Sequence, residues 1–252
     1  THTGGTLVAR VLAARGLTDS AATARFLDPT LRHLHDPSLI PDLDRAAARI
    51  LAALAAAEPV VIFGDYDVDG ITATAILFHM MRAIAPECPV RTYVPHRVEE
   101  GYGLNTAALV QLAAEGARVV VTVDCGVTAM EPAVAARDAG LDLIITDHHN
   151  PPRTLGELPA AYAVVHPRRP DSAYPFGDLS GAGVAYKLAW RLATLHCGRE
   201  RITEDLRRLM IELLGFAALG TIADVVPLLD ENRVIWRHGV ARIKHSPRFG
   251  VR

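Results

Sequence analysis

The sequence is poor in cysteine and has no long apolar run. Its three cysteines, Cys88, Cys125 and Cys197, lie far apart and show no CxxC spacing. This argues against a disulfide framework or a zinc ribbon and favours a reducing compartment. No stretch reaches the roughly 18 consecutive apolar residues of a membrane helix, and no secretory signal is visible. We therefore expect a cytoplasmic protein without a targeting signal or a membrane partner.

An excess of charge of either sign is also missing. The formal net charge is −2, so nucleic acid would have to be bound by a local patch rather than by the whole surface. Lys187 and Lys244 are the only lysines, and all other basic side chains are arginine. Arginine suits bidentate phosphate contacts, but the same bias could equally reflect genome composition. The 252 residues are enough for one large domain or two small ones.

Two kinds of apolar pattern divide the chain. Residues 1–58 show helical spacing with stops at Gly16, Pro29 and Pro59, which predicts an N-terminal helical segment. Residues 59–228 alternate short β-rich runs with helical patterns, which is typical of βαβ units. The runs cover residues 60–63, 90–94, 118–123, 141–146 and 162–165. We therefore predict an α/β fold with a mainly parallel sheet flanked by helices.

Four polar clusters each follow an apolar run. Sites in parallel sheets gather at the carboxyl ends of the strands, so the first three clusters should converge there, with the fourth delivered from a helix end. The clusters are Asp65, Asp67 and Asp69; Asp124; Asp147, His148 and His149; and Asp224.

Crowded aspartates need cations, because like charges a few ångströms apart raise one another's pKa. Carboxylates beside imidazole favour manganese, magnesium or zinc over calcium. Two such ions, about 3.5 to 4 Å apart, can activate a water and clamp a phosphoryl group. Taken singly, Asp65 or Asp67 would more often be a helix cap or turn residue, and His148 a solvated loop residue. The joint placement of the clusters favours a two-metal site.

These residues resemble the DHH phosphoesterase superfamily, whose name matches the triplet Asp147-His148-His149. The motifs are "DYDVDG" (residues 65–70), "VDCG" (123–126), "TDHH" (146–149) and "TIADVVPL" (221–228). Further blocks narrow the resemblance to the RecJ-type single-strand-specific exonucleases. These blocks are "LHDPSLIPDLDRA" (34–46), "YVPHRVEEGYGLN" (93–105) and "HPRRPDSAYPFGDLSGAGVAYKLAW" (166–190).

The resemblance implies a role for each residue of the clusters. Asp67 and Asp124 would bind the first metal, with Asp65 in or near that set. Asp69, His148 and Asp224 would bind the second, and Asp124 would bridge the two ions. His149 would lie outside the ligand sets or contact the scissile phosphate. The resemblance implies two divalent metal ions and favours Mn²⁺ over Mg²⁺.

Further residues are candidates for substrate binding. In the loop after the second run, His96, Arg97 and Tyr102 would line a DNA channel, although Tyr102 suits a core or rim position about equally well. The segment 180–187 begins a helix whose free N–H groups could bind a phosphate, although small residues at a helix start also serve packing alone. Its candidates are Ser180, Gly181, Gly183 and Lys187. The basic residues His166, Arg168 and Arg169 suggest a surface loop, with a DNA-backbone contact as the alternative.

The function implied is a metal-dependent exonuclease. It would hydrolyse single-stranded DNA from the 5′ end to mononucleotides in DNA repair and recombination, with a single-strand-binding protein and a helicase as possible partners. The alternatives are a small-substrate DHH phosphodiesterase or pyrophosphatase and a non-catalytic replication scaffold. Members of this type usually continue into a second domain and often an OB-fold, and neither follows Arg252. We therefore expect a catalytic-core fragment in which residues 229–252 begin a linker helix.

Overall fold

Five parallel strands form a sheet in the order β2-β1-β3-β4-β5. The computed structural model describes residues 6–101, 103–198 and 201–243. Each strand is short and rich in β-branched residues, as expected for a parallel sheet covered on both faces. The strands are β1 (Val60–Gly64), β2 (Val90–Tyr93), β3 (Val119–Val123), β4 (Asp142–Thr146) and β5 (Ala163–Val165). The predicted α/β fold is confirmed, and each predicted run overlaps one strand.

Helices cover both faces of the sheet and extend beyond it. Polar N-caps begin many of them: Asp67, Ser180 and Thr203 each accept a hydrogen bond from a backbone N–H in the first turn of the following helix. The helices are α1 (Leu7–Ala14), α2 (Ser20–Leu27), α3 (Leu43–Ala55), α4 (Val68–Ile84), α5 (Thr106–Ala114), α6 (Met130–Asp138), α7 (Gly181–Cys197), α8 (Glu204–Ala223) and α9 (Asp230–Ile243). Short 3₁₀ turns lie at Leu31–His33, Pro37–Leu39 and Leu155–Glu157.

Side chains alternate between two cores along the strands. Val60 and Ile62 face the larger core, which is built with α3, α4, α7 and α8, whereas Val61 and Phe63 face the smaller one. This alternation follows from the two-residue period of a strand. The smaller core is closed by α5 and α6. The centre of the sheet is therefore buried on both sides, and polar groups can gather only at its ends.

The N-terminal segment shares the main core. Helix α3 buries Leu43, Ile50 and Leu54 in the same cluster as the strand residues Val60 and Ile62. The division of the chain at residue 58 remains a prediction, as do the boundaries at residues 228 and 252. None of the helices in the described ranges is both long and apolar enough to cross a membrane.

Candidate metal centre

The order of the strands brings the polar clusters together. Strands β1, β3 and β4 are neighbours, and their last residues are in register: Gly64 pairs with Val123, and Val123 with Thr146. The clusters that begin at Asp65, Asp124 and Asp147 therefore leave the sheet side by side at its carboxyl edge. The convergence expected from the sequence is present.

Helix α8 supplies the fourth cluster by ending at this edge. Asp224 is its C-cap residue, and its side chain is 24% exposed. Gly220, one turn earlier, allows the close approach of the helices: a Cβ atom there would lie 2.6 Å from both the Ala182 Cβ and the Thr72 Oγ1. The missing side chain therefore lets α8 pack directly on α4 and α7.

Three groups of ligand atoms result from this packing. The first joins Asp65, Asp67 and Asp124, the second joins Asp69, His148 and Asp224, and the third joins Asp124, His148 and His149. Within each group, one side-chain oxygen or nitrogen from each residue lies within 4.8 Å of the others. His148 Nε2 lies 3.1 Å from Asp124 Oδ1, which connects the first two groups. The same nitrogen lies 3.6 Å from Asp224 Oδ2 and 3.8 Å from Asp69 Oδ2.

Two atoms at the junction are buried without a hydrogen bond. They are Asp124 Oδ1 and His148 Nε2. A buried polar atom that lacks a partner costs stability, so it needs an ion, a water or a functional reason. Carboxylate oxygens and an imidazole nitrogen are the donors that Mn²⁺, Mg²⁺ and Zn²⁺ accept. The residues present therefore fit divalent metal ions.

The electrostatics of the centre agree with this fit. Burial, followed by the charges of Asp69 and Asp67, raises the pKa of Asp124 to about 10. Burial likewise raises the pKa of Asp69 to about 6, although the N–H groups of Ala182 and Gly181 and the nearby His148 act in the opposite direction. Carboxyl groups that resist ionisation in the metal-free protein would release protons when a cation binds.

Asp124 reaches the junction through an unusual backbone conformation. Its φ is +64°, in the left-handed region that aspartate tolerates better than most residues. Gly126 follows with φ +109°. This tight turn directly after β3 keeps the Asp124 side chain at the carboxyl edge, where it is 1% exposed.

Comparisons with known proteins agree with this geometry. The family model described as "DHH family, N-terminal domain" matches residues 59–221. The chain belongs to the DHH family. The single-stranded-DNA-specific exonuclease RecJ of Bacillus subtilis is 41% identical over 98% of this chain and 29% of its own length. RecJ of Dickeya dadantii is 38% identical over 98% of this chain and 42% of its own length. The chain thus spans less than half of these relatives.

Solved structures of RecJ share the fold. A manganese-bound exonuclease RecJ gives a TM-score of 0.71 at 37% identity, covering 84% of this chain and 51% of that one. RecJ of Thermus thermophilus in complex with Mn²⁺ gives 0.74 at 32% identity, covering 95% and 32%. Its Mg²⁺ complex gives 0.60 at 30% identity, covering 95% and 28%. Both expected ions are therefore found in homologous structures.

The aspartate of the DHH triplet orients the two histidines. Asp147 Oδ1 accepts hydrogen bonds from the His148 and His149 backbone N–H groups at 2.7 and 3.0 Å, and it lies 2.8 Å from His149 Nδ1. Its other oxygen accepts from the Val127 N–H. Although burial acts in the opposite direction, the bonds from His149 and Val127 lower the pKa of Asp147. In return, the bond to Asp147 raises the pKa of His149 to about 9.

The predicted phosphate site at the start of α7 is wrong. The N–H groups of Gly181 and Ala182 donate to Asp69 at 2.6 and 2.9 Å, and the Gly183 N–H donates to the capping hydroxyl of Ser180. Ser180 is fully buried. The anion at this helix N-terminus is thus the Asp69 carboxylate itself: Gly181 and Ala182 bond it, and Ser180 and Gly183 bond each other as the cap of the helix.

Lys187 was expected to reach the same anion, and this expectation is also wrong. Its side chain is fully buried and forms an ion pair with the equally buried Glu231. Lys187 Nζ also donates to the His35 carbonyl at 2.8 Å. Lys187 therefore joins α7 to α9 and to the segment before α3, where a substrate phosphate cannot reach it.

Of the loop candidates, Arg97 lies beside the acidic cluster. Its guanidinium is 5.0 Å from the ring centre of Tyr66, which stands between Asp65 and Asp67 in the chain. The exposed His96 lies at the start of a turn in which its N–H donates to Glu100. Tyr102 lies outside the described residues. The roles of His96, Arg97 and Tyr102 remain predictions, as do the individual roles of the metal-site residues.

His166 was missed as a functional residue, because a histidine in a basic loop gives no sequence signal of burial. It is fully buried, and burial lowers its pKa to about 4. His166 Nε2 lies 2.7 Å from the His149 carbonyl, and Arg168 Nη2 donates to the His148 carbonyl at 2.7 Å. The basic loop thus contacts the backbone of the DHH triplet.

Proposed function

We propose that this chain carries the catalytic part of a metal-dependent exonuclease that hydrolyses single-stranded DNA from its 5′ end to mononucleotides. The observation that carries the proposal is the pair of ligand groups connected at Asp124, where two buried ligand atoms form no hydrogen bond. RecJ relatives, described as single-stranded-DNA-specific exonucleases, support the substrate class. The 5′ polarity and the mononucleotide product follow from the resemblance to that type of enzyme.

The proposed metal ligands fall into two sets. Asp67 and Asp124, with Asp65 in or near the set, would hold one ion, and Asp69, Asp124, His148 and Asp224 would hold the other. When bound, such ions lower the pKa of a water and polarise phosphoryl oxygens. The chain itself fixes the positions of these ligands, because Asp69 is bonded to the start of α7 and Asp67 caps α4.

His149 is suited to contact the scissile phosphate. The hydrogen bond to Asp147 raises the pKa of His149 to about 9, which favours the protonated imidazole, and the His149 side chain is 45% exposed. Asp147 holds the Nδ1 side of the ring, which fixes the ring's orientation. A protonated, oriented imidazole stabilises the negative charge that develops on a phosphoryl group during displacement. We assign this role to His149.

The single-stranded DNA would lie against the loop that contains His96, Arg97 and Tyr102. Arg97 stacks on Tyr66 beside the acidic cluster, so its guanidinium can bind a backbone phosphate near the metal centre. We further propose that the protein acts in the cytoplasm, in DNA repair and recombination, together with a single-strand-binding protein and a helicase.

End-labelled strands test the proposed reaction. With Mn²⁺, the chain should release labelled mononucleotides at once from a 5′-labelled single strand, and should shorten a 3′-labelled strand progressively. A blunt duplex should be degraded much more slowly. Asp124→Asn should abolish cleavage, whereas Asp44→Asn, a matched change at an exposed ion pair with Arg191, should leave it intact.

Different outcomes would identify the alternatives. Cleavage confined to dinucleotides, trinucleotides, cyclic dinucleotides or pyrophosphate would assign the site to a small-substrate phosphoesterase. Release of mononucleotides first from the 3′ label would reverse the proposed polarity. A metal-loaded protein that cleaves none of these substrates but binds single strands would contradict the catalytic assignment.

A further inference from the structure

The backbone carbonyls of both DHH histidines are bonded by one short loop. Arg168 Nη2 donates to the His148 carbonyl, and His166 Nε2 contacts the His149 carbonyl, each at 2.7 Å. The loop follows β5, the strand that pairs with β4. A second, independent layer of hydrogen bonds therefore holds the triplet, in addition to those from the Asp147 side chain.

Both ring nitrogens of His166 are used, and the hydrogen bonds define the tautomer. The Arg168 N–H donates to Nδ1 at 3.0 Å, so Nδ1 must be the unprotonated nitrogen. Nε2 then carries the proton and donates it to the His149 carbonyl. Because His166 is fully buried and has no free ring nitrogen, it cannot contact a DNA backbone, which was the alternative considered for this loop.

Arg168 is held along its length even though the residue is exposed. A Cβ atom at Gly177 would lie 2.6 Å from the Arg168 Cγ and 3.1 Å from its Cδ. The absence of a side chain at Gly177 lets the aliphatic part of Arg168 lie close against the backbone of the following segment. Its guanidinium is thus directed at the His148 carbonyl and is not a freely moving surface charge.

We propose that His166 and Arg168 are positioning residues for the DHH histidines. By fixing the two carbonyls, they fix the backbone from which the side chains of His148 and His149 project. His148 Nε2 then points at the junction with Asp124, and the His149 ring stays on Asp147. This inference rests on the proposed function, because it assigns these histidines to metal and phosphate.

The test compares three substitutions of His166, two of which keep one of its two hydrogen bonds. His166→Gln can place an amide N–H near the position of Nε2, whereas His166→Asn can replace only the Nδ1 acceptor; His166→Ala removes both. Mn²⁺ affinity is measured from the electron paramagnetic resonance signal of the free ion, and kcat and KM are measured on single-stranded DNA at saturating Mn²⁺. Thermal unfolding without metal shows whether each variant is folded.

We expect His166→Ala and His166→Asn to weaken Mn²⁺ binding or lower kcat by about 10- to 100-fold, the usual effect of losing a group that orients a ligand. The KM for DNA should change little, and His166→Gln should recover most of the loss. Arg168→Ala, at a position more exposed than that of His166, should also weaken Mn²⁺ binding. Equal defects in all three His166 variants, or parental Mn²⁺ affinity and kcat in His166→Ala and Arg168→Ala, would overturn the proposal.

Arg169 provides the matched control in the same loop. Its guanidinium bonds Asp42, Asp171 and the Val164 carbonyl, and none of its hydrogen bonds goes to the triplet. Arg169→Ala should therefore lower thermal stability without changing Mn²⁺ affinity. If the parent binds Mn²⁺ but degrades no DNA, the proposed function fails, while the Mn²⁺ affinities of the variants still decide the positioning role.

Discussion

Asp124 combines burial, a left-handed backbone conformation and a carboxyl group that resists ionisation. It is 1% exposed, its φ is +64°, and its pKa is raised to about 10 by burial and by Asp69 and Asp67. Without a cation, ionised Asp124 destabilises the folded state. A destabilising residue of this kind is common at functional positions, which agrees with the metal-ligand role proposed for Asp124.

Asp124→Asn should stabilise the metal-free protein. Between the carboxyl pKa of the unfolded chain and the raised pKa of the folded one, only the folded state binds the proton, so stability falls as pH rises. Asparagine removes this term and tolerates the left-handed backbone. We expect a gain of at least about 1 kcal/mol at pH 8, or about 2–4 °C in melting temperature. Melting curves at pH 6 and pH 8.5 measure it; a variant with an equal or steeper decline would contradict the assignment.

The affinity for Mn²⁺ should rise with pH. Asp69, whose pKa is raised to about 6, must lose its proton before it can bind a cation. Asp124, whose pKa is raised to about 10, must release a second proton when it binds. Below pH 6, affinity should rise about tenfold per pH unit for each proton displaced. Titration calorimetry in two buffers of different ionisation enthalpy counts the protons released. An affinity that is constant from pH 5.5 to 7.5 would exclude this linkage.

At the scale of elements, helix α8 places Asp224 by packing closely on α4 and α7. Gly220→Ala would bring a Cβ against the Asp69 carboxylate and to within 2.6 Å of the Ala182 Cβ, and should displace both the end of α8 and the Asp69 side chain. We expect a loss of about 1–3 kcal/mol, typical of overpacking, together with weaker Mn²⁺ binding. Denaturant unfolding and Mn²⁺ titration measure the two effects.

Gly215→Ala provides the control on the same helix. Its Cβ would meet its nearest neighbour, the Arg242 Cβ, at an ordinary 3.5 Å. Alanine also favours a helix over glycine by roughly 0.5–1 kcal/mol. This variant should therefore be as stable as the parent or slightly more so, with unchanged Mn²⁺ affinity. Equal behaviour of the two alanine variants would contradict the role given to the close packing at Gly220.

A buried ion pair away from the metal centre joins α7 to α9 and to two connecting segments. Lys187 on α7 pairs with Glu231 on α9, and Glu231 also accepts from the Tyr174 hydroxyl and from the His35 N–H. Removing one partner leaves a buried charge without compensation, which typically costs about 3–5 kcal/mol. Lys187→Ala should show this loss in urea unfolding. Arg191→Ala, one turn further along α7 at a surface pair with Asp44, should cost about 1 kcal/mol or less.

At the scale of the whole molecule, the sequence was sufficient for the fold and for the location of the site. Apolar runs that alternate with helical patterns and are followed by Asp65, Asp124 and Asp147 predicted a parallel sheet with one polar edge, because βαβ units give parallel strands and sites gather at their carboxyl ends. The structure has this arrangement. The short spacing within each cluster kept its members together whatever the exact strand boundaries were.

Contacts between residues distant in the chain could not be predicted in the same way. Helix-start glycines often bind anions, but only the folded chain shows that the anion at Gly181 is Asp69, 112 positions earlier. From the sequence alone, Lys187 would be placed at the surface and His166 in a basic loop. Only the folded chain shows that Glu231 lies beside Lys187 and that His166 is buried. Each of these errors concerns a polar side chain whose partner lies on another element.

We propose that two divalent ions share Asp124 at the carboxyl edge of the sheet. Mn²⁺ stoichiometry, measured by equilibrium binding with electron paramagnetic resonance, tests this arrangement on the parent and on single Asp→Asn variants at positions 67, 124 and 224. We expect two ions in the parent, one in each of the Asp67 and Asp224 variants, and a loss of both tight sites in the Asp124 variant. Two tightly bound ions in Asp124→Asn would contradict it.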